Sequence, residues 1–138
     1  MEVLVLDVNV LFSFFRKGKV FKLVEELVKK NIRLLIPAEM KEELLSLKSK
    51  IIKSAKISEE EWNGISNLLF SIVREVPKSK YGSFLREGCK ISPHINDAPL
   101  FALSLAFNKA PIWSREPRLK RQKFVKILSD RDVEELLK

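Results

Sequence analysis

Apolar residues follow two rhythms along this chain. Short, mainly apolar runs recur at Val3–Leu6, Ile32–Ile36, Pro111–Trp113 and Phe124–Leu128, and residues 73–76, ended by Pro77, look like a further short strand. Runs of this length bounded by polar residues read as strands buried on both faces. Between them the apolar positions recur at helical spacing. Val20, Leu23, Val24, Leu27 and Val28 make one stripe, with Lys22, Glu25, Glu26, Lys29 and Lys30 opposite and Asn31 as a stop. Met40, Leu44, Leu47 and Ile51 make a second, predicting one helix over 38–51. Trp62, Ile65, Leu68, Leu69 and Ile72 make a third, opened by a capping box at Ser58 and Glu61. Val10 to Phe15 predicts a short buried helix. Tyr81, Phe84, Leu85 and Cys89 predict another, ended by Gly88 and the Ile91-Ser92-Pro93 loop. Leu100 to Phe107 is apolar nearly all round, the mark of a buried helix, and Pro99 is tolerated in its first turn. Ser129 caps a last helix with Val133, Leu136 and Leu137 inward.

Strands alternating with helices imply parallel pairing through right-handed crossovers, with helices on both sheet faces. The expected fold class is therefore α/β, a three-layer sandwich around five parallel strands. A length of 138 residues fits a single domain over 1–138, and a hydrophobic content of 46% is enough for an ordinary core, which argues against disorder. The sole cysteine, Cys89, excludes an intrachain disulfide and fits a reducing cytoplasm. The first apolar run is short and interrupted by Asp7, unlike a signal peptide, and no run approaches the ~18–20 apolar residues that span a bilayer. No membrane role is expected.

Four acids stand where strands hand over to the following segment. Asp7 directly follows strand one, where open α/β sheets place their ligands. Glu43 lies on the helix leaving strand two. At ~100° per residue it sits roughly 70° from the centre of the buried stripe, against about 110° for Glu39 and about 170° for Glu42. Glu39 and Glu42 are accordingly expected to be solvated surface glutamates. Asp97 opens the helix before strand four, where it also suits a plain N-cap. Glu116 follows strand four, and a solvated loop acid beside Arg115 or Arg118 is the simpler reading for it. Acids brought together repel, and the relief is protonation or a cation. Hard divalent ions with oxygen ligands, Mg²⁺ or Mn²⁺, suit such a set, whereas one histidine and one cysteine offer no zinc pattern. Asn9 and Ser114 are turn residues with the reach to hydrogen-bond the acids or the waters of a metal. His94 reads as a surface residue, and Trp62 and Trp113 as core.

Charge adds to this picture. The formal net charge is +8, from 26 Lys and Arg against 18 Asp and Glu. Such an excess solubilises, and it also concentrates a polyanion. The run Arg115, Arg118, Lys120, Arg121 and Lys123 is either a solvated charge run or a set of phosphate contacts. A carboxylate-held Mg²⁺ beside a basic surface is the chemistry of in-line phosphodiester hydrolysis, so acids and charge point together to a metal-dependent nuclease.

The stretches VLVLDVNVLFS at the start, Pro37 to Leu44, NDAPLFALSLAF at 96–107 and APIWSREPRL at 110–119 together resemble the PIN domain, the fold of VapC-type toxin ribonucleases and related archaeal proteins. The resemblance covers essentially the whole chain. It implies the strand order 3-2-1-4-5 and an acidic pocket for Mg²⁺ or Mn²⁺. Asp7, Glu43 and Asp97 match the family's first three acids, and Glu116 falls where the family usually carries Asp. Ser114 matches a position commonly Thr, and Asn9 a frequent polar position. The implied activity is cleavage of single-stranded or structured RNA, often by a homodimer. VapC members are also neutralised by a VapB antitoxin partner that enters the active-site groove. Phe12, Phe14, Phe15 and Phe21 suit either a dimer interface or the core.

Two other classes compete. A PIN-fold module that binds nucleic acid or protein without cleaving, its metal site weak or inactive, shares every feature above. A phosphoaspartyl enzyme is disfavoured because Asn9 stands where its second acid would be needed, and a receiver domain because strand three ends in Val76-Pro77 without an acceptor aspartate.

Overall fold

The computed structural model describes residues 2–138. In chain order the elements are β1 (Val3–Leu6), α1 (Val8–Phe14), α2 (Lys19–Lys29), β2 (Arg33–Pro37), α3 (Ala38–Ser46), α4 (Lys48–Ala55), α5 (Glu59–Ile72) and β3 (Val73–Val76). Then follow α6 (Lys78–Tyr81), α7 (Leu85–Ile91), α8 (Ala98–Ala106), β4 (Ile112–Trp113), β5 (Ile127–Leu128) and α9 (Asp130–Leu136), with short 3₁₀ turns at Gly82–Phe84, Ile95–Asp97 and Pro117–Arg121. The five strands form one sheet in the order β3-β2-β1-β4-β5, every pairing parallel. This is the expected α/β architecture and strand order.

β1 is the central strand, and its Leu4, Val5 and Leu6 are fully buried. The chain runs outward from β1 to β2 and β3 on one side, then returns to lay β4 and β5 on the other. The sheet therefore reverses its winding between β1 and β4, which opens a crevice beyond their carboxyl ends. The pairs Val5 with Ile112 and Leu6 with Trp113 set the register. As a result Asp7 and Ser114 leave neighbouring strands at the same level, and the Asp7 N–H donates to the Trp113 carbonyl at 3.0 Å.

Several expected boundaries shift, each for a local reason. The helix expected over 38–51 breaks in two at Leu47. The Ser46 hydroxyl donates to the Glu43 carbonyl at 2.6 Å, and the Leu47 N–H takes a tight bond to the Leu44 carbonyl; such side-chain competition commonly interrupts helices. The strand expected over 124–128 contracts to two residues because Gln122 takes its partners. The Gln122 amide oxygen accepts from both the Phe124 and Val125 N–H groups, leaving Phe124 63% exposed. α1 begins at Val8 rather than Val10, since the Asp7 carboxylate accepts from the Val8 N–H. Leu68, Val28 and Leu136, expected inward, are exposed. Leu68 and Val28 instead flank a shallow apolar groove with Phe14, Phe21 and Ile72.

Gly88 does not end its helix but lies inside α7. A Cβ there would stand 2.6 Å from the Ala98 carbonyl oxygen and 3.0 Å from the Ala102 nitrogen. Glycine thus lets α7 lie directly on α8 and fixes where α8 starts. Of the four early phenylalanines, Phe14 and Phe15 are core: Phe15 stacks on Trp62 at 4.6 Å and Phe14 on Phe21 at 4.7 Å. Trp62 and Trp113 are buried as expected, with the Trp113 indole N–H donating to Asp130. Among the described residues no helix is long and apolar enough to cross a membrane.

Candidate active site

At the carboxyl end of the sheet a cleft of about 300 Å³ is lined by Asp7, Val8, Pro37, Glu39, Met40, Glu43, Asn96, Asp97, Pro99 and Leu100. Three of the four expected acids, Asp7, Glu43 and Asp97, share it. Each arrives on a different element: Asp7 from the end of β1, Glu43 from α3 after β2, and Asp97 from the turn that starts α8.

Asp7 is the most firmly held. It is 8% exposed. One carboxylate oxygen accepts from the Val8 N–H at 2.7 Å, and the other from the Ser114 hydroxyl at 2.7 Å. Asn9 sits beside them, its amide nitrogen 3.4 Å from Asp7 Oδ2 and its amide oxygen accepting from the Arg115 N–H at 3.1 Å. The Ser114 oxygen also accepts from the Glu116 N–H at 3.0 Å. Asn9 and Ser114 therefore orient Asp7 and tie it to the loop after β4.

Asp97 behaves differently. Its carboxylate makes no capping bond. An N-cap side chain bonds the second or third N–H of its helix, and the second position here is Pro99, which has none. Asp97 itself has helical backbone (φ −90°, ψ −2°) rather than the extended conformation of a capping residue, so it occupies the N-cap position without capping through its side chain. Its Oδ2 is buried without a hydrogen-bond donor and stands 3.7 Å from the Arg118 guanidinium.

Glu116 does not line the cleft. Its carboxylate accepts from the Arg118 N–H at 3.2 Å, capping the 3₁₀ turn Pro117–Arg121. It stays near enough to add repulsion at both Asp7 and Asp97.

Burial raises the Asp7 carboxyl above its ordinary range, against the lowering bonds from Ser114 and Val8, and Asp97 and Glu116 raise it further. Burial also raises Glu43, reinforced by Asp7, Asp97 and Glu39. Asp97 is raised by burial and by Glu116, against Arg118 and His94. Three carboxylates all held above their ordinary range in one cleft have a shared electrostatic need for positive charge.

Glu39, exposed as expected, also lines the cleft. Glu39 lies four residues before Glu43 on α3 and so shares its face. It accepts from the buried Tyr81 hydroxyl at 2.6 Å, and burial together with Glu39 pushes the Tyr81 phenol well above its ordinary value. The four-residue spacing of Glu39 from Glu43 is the sequence signal by which it could have been found. Asn96 gave none.

The run from 115 to 123 splits. Arg115 pairs with Asp130 at 3.4 Å and donates to Ser13, Arg118 faces Asp97, and Lys120 pairs with Asp132 at 3.4 Å. Arg121 and Lys123 are exposed and, among the described residues, form no ion pair.

The donor set suits a hard divalent ion: carboxylate oxygens, an amide and a hydroxyl, with the Asp97 Oδ2 lacking any donor. Among the described residues no three His, Cys, Asp or Glu side chains stand close enough to clasp an ion directly.

Comparison with known proteins places the fold. In the solved structures the chain is similar to VapBC2 from Rickettsia felis, crystallised bound to a DNA fragment from their promoter, with a TM-score of 0.65 and 18% identity over 92% of this chain and 98% of that one. No curated protein sequence matches the chain. The sequence model described as the PIN domain matches residues 5–134, from within β1 through β5 and including every acid of the cleft, and the chain belongs to the PIN domain family.

Proposed function

We propose that this protein is a metal-dependent ribonuclease that hydrolyses RNA phosphodiester bonds at the cleft of Asp7, Glu43 and Asp97. One observation carries the reading. Three carboxylates from three separate elements converge at the switch point of the sheet with raised proton affinity, and Asp97 keeps a buried oxygen without a donor. Asp7, Glu43 and Asp97 would hold Mg²⁺ or Mn²⁺, Glu116 would act through a water or by moving inward, and Asn9 and Ser114 would keep Asp7 aimed. When bound, such an ion supplies a hydroxide nucleophile and stabilises the developing oxyanion. Arg118, 3.7 Å from Asp97, would meet the substrate phosphate, and Arg115, Lys120, Arg121 and Lys123 would add positive charge around it.

The likeness to a VapBC assembly supports a toxin role with an antitoxin protein as partner, working in the cytoplasm, where a lone exposed Cys89 stays reduced. A homodimer is the proposed assembly, and the single domain covers 1–138.

A second reading is a PIN-fold binding module. The pairing of Asp97 with Arg118, and of Glu116 with the Arg118 backbone, favours it because both engage acids that a metal would otherwise use. One experiment separates the two: a mixed pool of single-stranded RNA incubated with Mg²⁺, Mn²⁺ or EDTA. Metal-dependent products that disappear in Asp7→Asn support the nuclease. RNA bound but uncut under every metal condition leaves the binding module.

A further inference from the structure

A second depression lies on the other side of the start of α1. It measures about 480 Å³ and is lined by Val8, Asn9, Phe12, Ser13, Arg16, Leu47, Lys50 and Arg115. It meets the acid cleft at Val8, and Asn9, which orients Asp7, forms part of its wall. Its lining contains three cations and no acid, whereas the acid cleft contains four acids and no cation. Arg16 and Lys50 form no ion pair among the described residues; Arg16 donates instead to the Ser54 hydroxyl at 2.9 Å, which holds it across the groove between α1 and α4. The Arg16 guanidinium lies over the Phe12 ring at 5.6 Å. Arg115 is anchored at the near end by Ser13 and Asp130.

Two unpaired cations, Arg16 and Lys50, beside a groove attract a polyanion, and an arginine plane braced on an aromatic ring is a surface on which nucleobases stack. We propose that this groove is the track for the single-stranded RNA leading into the acid cleft, with Arg16 and Lys50 on backbone phosphates and the Arg16–Phe12 pair beneath a base. The inference rests on the nuclease reading for its direction toward the cleft, but its binding component does not require cleavage.

The test measures affinity of a fluorescein-labelled single-stranded RNA for the full chain in EDTA, across a salt series, so that no cleavage intervenes. Arg16→Gln/Lys50→Gln is expected to weaken binding about tenfold and to reduce the slope of log affinity against log salt by about 1.4, the loss of two phosphate contacts on a single strand. Arg33→Gln/Lys109→Gln removes the same charge at the opposite end of the sheet, beside Glu2 and Pro111, and is expected to change both far less. Lys50→Gln alone, at an exposed side chain, is expected to give about half the slope change and guards against misfolding of the double variant. Equal losses in the groove and control pairs, or an unchanged slope in both groove variants, would overturn the proposal. Loss of poly-glutamate binding with RNA affinity intact would reassign the groove to an acidic protein and overturn it too. RNA cleavage by the wild type with an unchanged slope in the groove variants sinks the track and leaves the nuclease standing. Weakened RNA binding without cleavage under any metal does the reverse.

Discussion

The two depressions flanking α1 differ in how their charges are held. In the acid cleft Asp7 leaves the central strand and is fixed by the Val8 N–H and the Ser114 hydroxyl, and Asp97 stands at the start of α8, 3.7 Å from Arg118. In the basic groove the charges sit at the tips of long, exposed side chains on the turn after α1, on α4 and on the loop after β4. Chemistry at a scissile bond tolerates errors well below an ångström and needs rigid supports. Attraction of a polyanion acts over several ångströms and needs only the charge. The comparison teaches that the cleft is built for position and the groove for field.

The sharpest way to break this comparison is at Asp97. If its position matters and not merely its charge near the groove, Asp97→Asn should lower RNA cleavage by about a hundredfold or more, the scale for losing one charge-stabilising group, with RNA affinity in EDTA nearly unchanged. A thermal melt that loses cooperativity alongside the activity would make Asp97 structural instead.

Gly88→Ala tests the support beneath it. The new Cβ would meet the Ala98 carbonyl at 2.6 Å, so α7 or α8 must move. Overpacking of this kind costs about 1–3 kcal/mol, read as a Tm lower by several degrees. Cleavage should fall while the salt slope of RNA binding stays put, because the groove lies on α1 and α4. An unchanged Tm would show that α8 is not located by this contact.

pH provides a smaller effect of defined sign. Asp7, Glu43 and Asp97 are raised in the folded chain, so the folded state retains protons that the unfolded chain releases. Without divalent metal, stability should therefore decline as pH rises from the ordinary carboxylate range through these raised values. Asp7→Asn should flatten that decline. The capping acids Glu61 and Asp132 are lowered and act oppositely, losing stability only as pH falls through their folded values. A steeper decline in Asp7→Asn than in the wild type would contradict the assignment.

The smallest effect is expected at Glu116, which caps a turn outside the cleft. Glu116→Ala should change cleavage only severalfold, and Glu116→Asp should keep or raise it. A loss as large as that of Asp97→Asn would move Glu116 into the site.

The sequence made the sheet and most of the cleft legible for different reasons. Burial on both faces forces strands such as Val3–Leu6 into unbroken apolar runs, and capping boxes at Ser58 and Ser129 announce helix starts. Asp7 was legible because an acid after a buried strand has no packing role. Glu39 was rightly expected at the surface, and what the stripe angle did not show is that this exposed face of α3 lines the cleft. The break at Leu47 and the contraction of β5 depend on Ser46 and Gln122 choosing backbone partners, which spacing does not encode. The basic groove was invisible because Arg16, Lys50 and Arg115 are far apart in sequence and each follows an ordinary solvated pattern.

The central claim is that the three carboxylates of the cleft form a divalent-cation site, and calorimetric titration of the metal-free chain with Mn²⁺ near pH 7.5 tests it most directly. The account predicts saturable binding that raises the Tm, is weakened about tenfold or more in Asp7→Asn and Asp97→Asn, and persists in Arg16→Gln/Lys50→Gln. Absence of Mn²⁺ binding to the wild type, or equal binding by the wild type and both acid variants, would contradict it.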